Sequence, residues 1–104
     1  MILSAALDLG TTRIKGALLN EKGELSNFVS VAAPPITGAG LKRESSPSSY
    51  AEKAEKVVQE LYKKTPNSIP LGIATQRSSF LLWEKETSRP ITPLISWMDR
   101  RAFK

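Results

Sequence analysis

Residues Ile2–Leu7 form a nearly continuous apolar run that stops at Asp8 and Gly10. So short a run cannot cross a membrane, and it suits a strand that expects cover on both faces. A second apolar segment, Ile14–Leu19, follows at once, and a third, Leu25–Val31, comes after the polar turn Glu21–Glu24. Connections this short leave no room for a crossover, so the three strands are predicted to form an antiparallel meander. Gly23 supplies the positive φ that the second turn needs, and Pro34–Pro35 ends the third strand.

Beyond the prolines, Thr37–Ser46 reads as a surface loop. Pro47–Lys64 is predicted to be a helix, with Ser46 as its cap and Pro47 in the first turn. Tyr50, Ala54, Val57, Val58 and Leu61 share one face. Glu52 with Lys56, and Glu60 with Lys64, are i,i+4 pairs on the exposed side. Lys63 and Lys64 complement the helix dipole, and Pro66 blocks continuation. Ile69–Thr75 reads as a fourth strand, Ser79–Trp83 as a fifth and Pro93–Trp97 as a short sixth, with the charged turn Glu84–Arg89 between the last two. Asp99–Ala102 looks like the start of a helix. A meander, a helix and further strands make an α/β sheet with one face covered.

Composition narrows the chemistry. At 104 residues the chain holds one small domain. It has no Cys and no His, so disulfides, thiolate metal sites and the usual general base are excluded. Catalysis would rest on carboxylates, Arg, Lys, hydroxyls and backbone amides. The net charge of +5 is scattered among acids, with no aromatic residues interleaved as a base-stacking surface requires, so no nucleic-acid partner is expected. No membrane segment or signal peptide is read, and a cytoplasmic protein is the expectation.

Three constellations carry polar chemistry. In Asp8–Gly16, Gly10 lets the backbone approach a ligand closely, and successive amides can form a nest for phosphate oxygens. Thr11 and Thr12 add hydroxyls, Arg13 and Lys15 add positive charge, and Asp8 can hold Mg²⁺ through water. Spacing alone favours the plainer reading, a hairpin turn built from ordinary turn-forming residues. In Gly72–Ser79, the polar cluster Thr75, Gln76, Arg77 and Ser78 sits where an open α/β sheet places ligands, although the residues alone favour the plainer reading, a solvated loop with one surface Arg. In Trp97–Arg101, Asp99 and Arg100 can bond a polyhydroxy ligand, while Asp99 can instead cap a helix and Trp97 can be core.

Together these segments resemble the FGGY carbohydrate kinases, the family of glycerol kinase, xylulokinase and gluconokinase. Leu7-Asp8-Leu9-Gly10-Thr11-Thr12 is similar to the family's N-terminal signature, and Lys15–Leu19 to the strand after it. Gly72–Arg77 resembles the sugar-facing segment of glycerol kinase, Trp83–Ile91 the turn that follows, and Ile95–Arg101 the Trp-x-Asp-x-Arg region. Glu44 and Pro47 stand where these kinases have an acid and a proline before the first helix.

The resemblance implies a ribonuclease H-like, actin-like ATPase fold, here an incomplete N-terminal domain without the family's second domain. It also implies ATP and Mg²⁺ as cofactors and a sugar or polyol as substrate. By resemblance, Asp8, Gly10, Thr11, Thr12, Arg13 and Lys15 face the phosphates and metal, and Arg77 and Ser78 face the sugar; Gln76, Asp99 and Arg100 join them as candidate substrate-binding residues. Ser78 departs from the Arg–Glu pair of glycerol kinase, and Arg77–Ser78 departs from the Met–His pair of xylulokinase, which argues against both those substrates. The family's catalytic Asp and adenosine-binding segments are expected beyond Lys104, so the isolated chain is expected to be inactive and to self-associate through uncovered apolar surface. The alternative is a non-catalytic actin-like module, or a sugar-responsive regulator acting through a partner.

Overall fold

The computed structural model describes residues 1–65 and 68–102. Its elements run β1 (Ile2–Leu9), β2 (Arg13–Asn20), β3 (Leu25–Ala32), β4 (Glu44–Ser45), α1 (Pro47–Tyr62), β5 (Leu71–Thr75) and β6 (Leu94–Ile95). The backbone groups into two compact units, Met1–Ala33 with Glu52–Gln76, and Pro34–Ala51 with Arg77–Lys104.

The first unit holds a four-stranded sheet in the order β3-β2-β1-β5. The meander predicted from the short turns is present: β1 pairs antiparallel with β2, and β2 with β3. Gly23 occupies the second turn with φ 79°. β5 then pairs parallel with β1, placing Leu9 beside Thr75, so the carboxyl ends of both strands lie at one end of the sheet. This is the expected arrangement, three antiparallel strands and one parallel strand reached through a helix.

Strand alternation sorts the side chains onto two faces. Ala5, Leu7, Ile14 and Leu18 share the face that α1 packs on at Gly16, and with Val57 and Leu61 of α1 and with Ala17 they are the buried apolar residues. Gly16 lies beneath the helix, where a Cβ would come within 2.7 Å of both Leu61 Cδ1 and Val57 Cγ1. Ala6 pairs with Ala17 and Asp8 with Lys15 on the opposite face. There, Ala6, Ala17, Leu25, Phe28, Gly72 and Ala74 line an open cleft of about 460 Å³. The apolar runs predicted burial on both faces. Among the described residues of this unit only α1 covers the sheet, and it lies on the other face, so Phe28 stays 72% exposed; Ile73, level with Leu7 on the α1 side but on the edge strand β5, is 58% exposed.

α1 begins where predicted. The Ser46 hydroxyl accepts the Ser49 amide at 3.2 Å, as an N-cap does. The helix closes at Tyr62, two residues short of the prediction; the Lys64 amide turns back to the Leu61 carbonyl in a tighter final turn. Glu60 pairs with Lys63 at 2.9 Å, where the spacing had suggested Lys64. The predicted stop at Pro66 lies outside the described residues.

The second unit departs most from expectation. Thr37–Ser46 is not an open loop: Thr37 and Glu44 exchange backbone bonds of 2.7 and 2.8 Å, and β4 pairs with β6. Ser79–Trp83 is not a strand but makes isolated bridges, Phe80 to Ile95 and Trp83 to Pro90. Its ladder is interrupted because the Leu82 amide bonds the Thr92 hydroxyl at 3.0 Å, and Pro90 and Pro93 have no amide to offer. The predicted sixth strand shortens to Leu94–Ile95 for the same reason. Residues 97–98 and 101–102 form turns, where the sequence suggested a helix start.

Candidate functional site

The β1–β2 turn is built by short-range geometry. The Gly10 amide donates to the Arg13 carbonyl at 3.1 Å, closing the turn. A Cβ on Gly10 would lie 2.5 Å from that same carbonyl oxygen, so glycine is required by close backbone approach. Because β5 runs parallel to β1, the residue after β5 reaches this turn. The Gln76 amide donates to the Leu9 carbonyl at 3.0 Å, its carboxamide donates to the Gly10 carbonyl at 3.1 Å, and the Thr11 hydroxyl donates to Gln76 Oε1 at 3.4 Å. Gln76 therefore braces the turn from the neighbouring strand. Asp8, Thr12, Arg13 and Lys15 are exposed around it, and Arg13 Nε donates to Ser30 Oγ at 2.6 Å. The turn thus gathers one carboxylate, two cations and two hydroxyls at the carboxyl ends of two parallel strands, where α/β sheets bind ligands.

In the second unit, Arg77 and Ser78 are exposed, and Ser78 takes a left-handed backbone (φ 62°) that bends the chain sharply after Arg77. Ser79 Oγ accepts the Trp97 amide at 2.9 Å, which sets the 77–79 segment beside the 95–97 segment. Asp99 is enclosed, its side chain 5% exposed. It accepts the Arg43 amide at 2.6 Å and the Arg101 guanidinium at 2.7–3.1 Å. Arg101 also pairs with Glu44. The Arg101 guanidinium and the two backbone amides hold the Asp99 carboxyl well below the usual carboxylate range, and the two carboxylates push Arg101 higher still. Arg100 is exposed, while its amide donates to the Leu41 carbonyl at 2.8 Å.

The profile of the FGGY family of carbohydrate kinases, N-terminal domain, matches residues 3–104. This chain belongs to that family. Apulose kinase of Pectobacterium atrosepticum is 31% identical over 103 residues, spanning 95% of this chain and 20% of that protein. Glycerol kinase of Synechocystis is 36% identical over 104 residues, spanning 92% of this chain and 20% of that protein. The crystal structure of Plasmodium falciparum glycerol kinase with ADP superposes with a TM-score of 0.81 at 20% identity, over 95% of this chain and 21% of that one; at this identity the likeness speaks for the fold. The chain therefore spans about a fifth of the length of the relatives it matches.

Within this FGGY chain, the residues singled out in the sequence separate. Asp8, Gly10, Thr11, Thr12, Arg13 and Lys15 gather at one turn, and Gln76 joins them through its bonds to Leu9 and Gly10. Arg77, Ser78 and Arg100 are exposed in the second unit, while Asp99 is tied into an ion-pair cluster with Arg101 and Glu44. Sequence reasoning assigned no role to Arg43 or Arg101. Arg101 was visible as the last residue of the Trp-x-Asp-x-Arg stretch, but nothing near it in sequence pointed to Glu44, and no signal marked Arg43, which contributes its backbone amide.

Proposed function

We propose that the complete protein transfers the γ-phosphoryl group of ATP to a hydroxyl of a sugar or polyol, and that this chain supplies the phosphate-facing turn and part of the sugar-facing surface. Family membership supports the reaction class, and the turn at Asp8–Lys15, braced by Gln76, is the observation that carries it. Phosphoryl transfer asks little covalent chemistry of the protein; it needs positioning and neutralisation of charge on the phosphate oxygens. Arg13 and Lys15 supply charge, the Thr11 and Thr12 hydroxyls and turn amides supply donors, and Gly10 permits close approach. ATP would contribute the transferable phosphoryl group. No cluster of three or more metal-ligating side chains occurs among the described residues. The lone Asp8 carboxylate suits Mg²⁺, which keeps most of its own water. On the substrate side we place Arg77, Ser78 and Arg100. A neutral Ser78 accepts less from neighbouring alcohols than a carboxylate would, which favours a substrate other than glycerol.

The test uses the complete protein with ATP and a panel of sugars and polyols. Transfer to at least one is expected. Arg77→Ala should then raise KM for that substrate, since a lost forked donor typically costs about 1–3 kcal/mol, while KM for ATP stays in place. Equal effects on both substrates would remove Arg77 from the sugar side. Sugar binding without transfer would instead identify a regulator.

A further inference from the structure

The segment that carries Trp97 and Arg100 has no long strand or helix to hold it. β6 contributes only Leu94–Ile95, and turns follow. On one side Ser79 Oγ holds the Trp97 amide and Phe80 exchanges backbone bonds with Ile95; on the other, the segment is tied by a set of bonds to the Thr37–Glu44 hairpin. The Ser96 amide donates to the Arg43 carbonyl at 3.0 Å, and the Arg43 amide donates to Asp99 Oδ2 at 2.6 Å. The Arg100 amide donates to the Leu41 carbonyl at 2.8 Å. Arg101 then bridges Asp99 and Glu44. Asp99 also accepts the Arg101 amide at 3.0 Å, so this one carboxylate receives two backbone amides and a guanidinium. A carboxylate has about four lone-pair sites, and an enclosed one so occupied has little capacity left for a ligand hydroxyl.

We propose that Asp99 is a positioning residue and makes no contact with substrate: with Arg101 and Glu44 it clasps the 96–101 segment to the 37–44 hairpin, and so sets where Trp97 and Arg100 stand. This rests on the proposed kinase function. The physical reason is economy of constraint. Short segments without ladder bonds hold one geometry only when side chains tie them down, and a charge-assisted, multiply bonded pair is the strongest tie available at a partly exposed site. Arg100, adjacent to the clasp in sequence, is exposed; Arg101 is exposed as well, but its charge is paired with Asp99 and Glu44.

The complete kinase tests this through steady-state kinetics on its best sugar substrate. Asp99→Asn keeps the shape and one acceptor but loses the charge partner of Arg101. A displaced binding group costs rate or affinity steeply, so KM for the sugar should rise on the order of tenfold, with KM for ATP unchanged. Arg101→Met should do the same. Because both variants open one clasp, the double variant should cost no more than the worse single variant. If the two effects multiply, Asp99 acts on substrate independently of Arg101 and the proposal is overturned; an unchanged sugar KM in Asp99→Asn also overturns it. Should Asp99→Asn fail to fold, Glu44→Gln severs only the outer contact of Arg101. It should raise the sugar KM by a smaller factor, and no change there counts against the clasp. A wild-type protein that phosphorylates no sugar or polyol defeats the functional reading first, and the positioning role with it; an active wild type with unmoved variants defeats the clasp alone.

Discussion

Asp99 shows how one side chain ties local geometry to solution conditions. Its carboxyl is held below its ordinary value near 3.8, first by the bonds from Arg101 and then by backbone amides. A depressed folded-state value means that the group stabilises the fold above the unfolded-state value, and that this contribution is lost as pH falls through the folded one. The stability difference between wild type and Asp99→Asn is therefore expected to be full at neutral pH. It should narrow steadily as pH falls below about 3.8. Thermal unfolding of both proteins from pH 7 to pH 2.5 measures this, and a gap that stays constant across the series would show that the charge of Asp99 does nothing for the fold. Glu60, whose carboxyl is lowered by its bond to Lys63, lies on the exposed side of α1, where solvent screens the pair.

Between elements, the decisive contact is α1 on β2. Gly16 is buried, and the space its missing side chain leaves is filled by Val57 and Leu61, both fully buried. Helix and sheet approach closely because this position is glycine. Gly16→Val should overpack that contact and destabilise the chain by about 1–3 kcal/mol. Shortening the opposing side chain should relieve part of the strain, so Gly16→Val with Leu61→Ala should cost less than the sum of the two single variants. Denaturant unfolding of all four proteins decides it; strictly additive costs would mean that Gly16 matters for some reason other than the approach of α1. The helix start needs no such tertiary support, because the Ser46 cap is satisfied within its own turn.

At the level of the whole chain, the sheet's second face is expected to govern behaviour in solution. The cleft there is floored by small residues, Ala6, Ala17, Gly72 and Ala74, and Phe28 stands at its side 72% exposed. A large ring beside a trough of small side chains is self-complementary, since Phe28 of each copy can enter the trough of the other in a two-fold contact. The 104-residue chain by itself is therefore expected to dimerise through this face, the +5 charge limiting indiscriminate association without opposing a specific apolar contact. Size-exclusion chromatography with light scattering over a concentration series should show a monomer–dimer shift that Phe28→Ser abolishes. A monomer at every concentration would mean that the open face is content in water. Among the described residues no helix is long and apolar enough to cross a membrane.

Much of this protein was legible in the sequence because its early elements are specified by near neighbours. Period, turn length and capping residues act within a few positions, so Ile2–Leu7, the Gly23 turn and the Ser46–Pro47 helix start could be read directly. The polar turn at Asp8–Thr12 was legible for the same reason, since Gly10 is demanded by an oxygen only three residues away. Partners distant in the chain were not. Gln76 reads as part of the Arg77–Ser78 cluster, yet the parallel pairing of β5 with β1 carries its carboxamide to Gly10, 66 residues away. Ser79–Trp83 has strand composition, but the Thr92 hydroxyl and the prolines take the places its ladder bonds would need. The 37–46 stretch has loop composition, yet β6 and Asp99 draw it into a hairpin. Local propensity set the backbone's preferences within each segment, and the tertiary structure alone decided which polar groups would meet, because hydrogen bonds and ion pairs between distant residues leave no periodic trace along the chain.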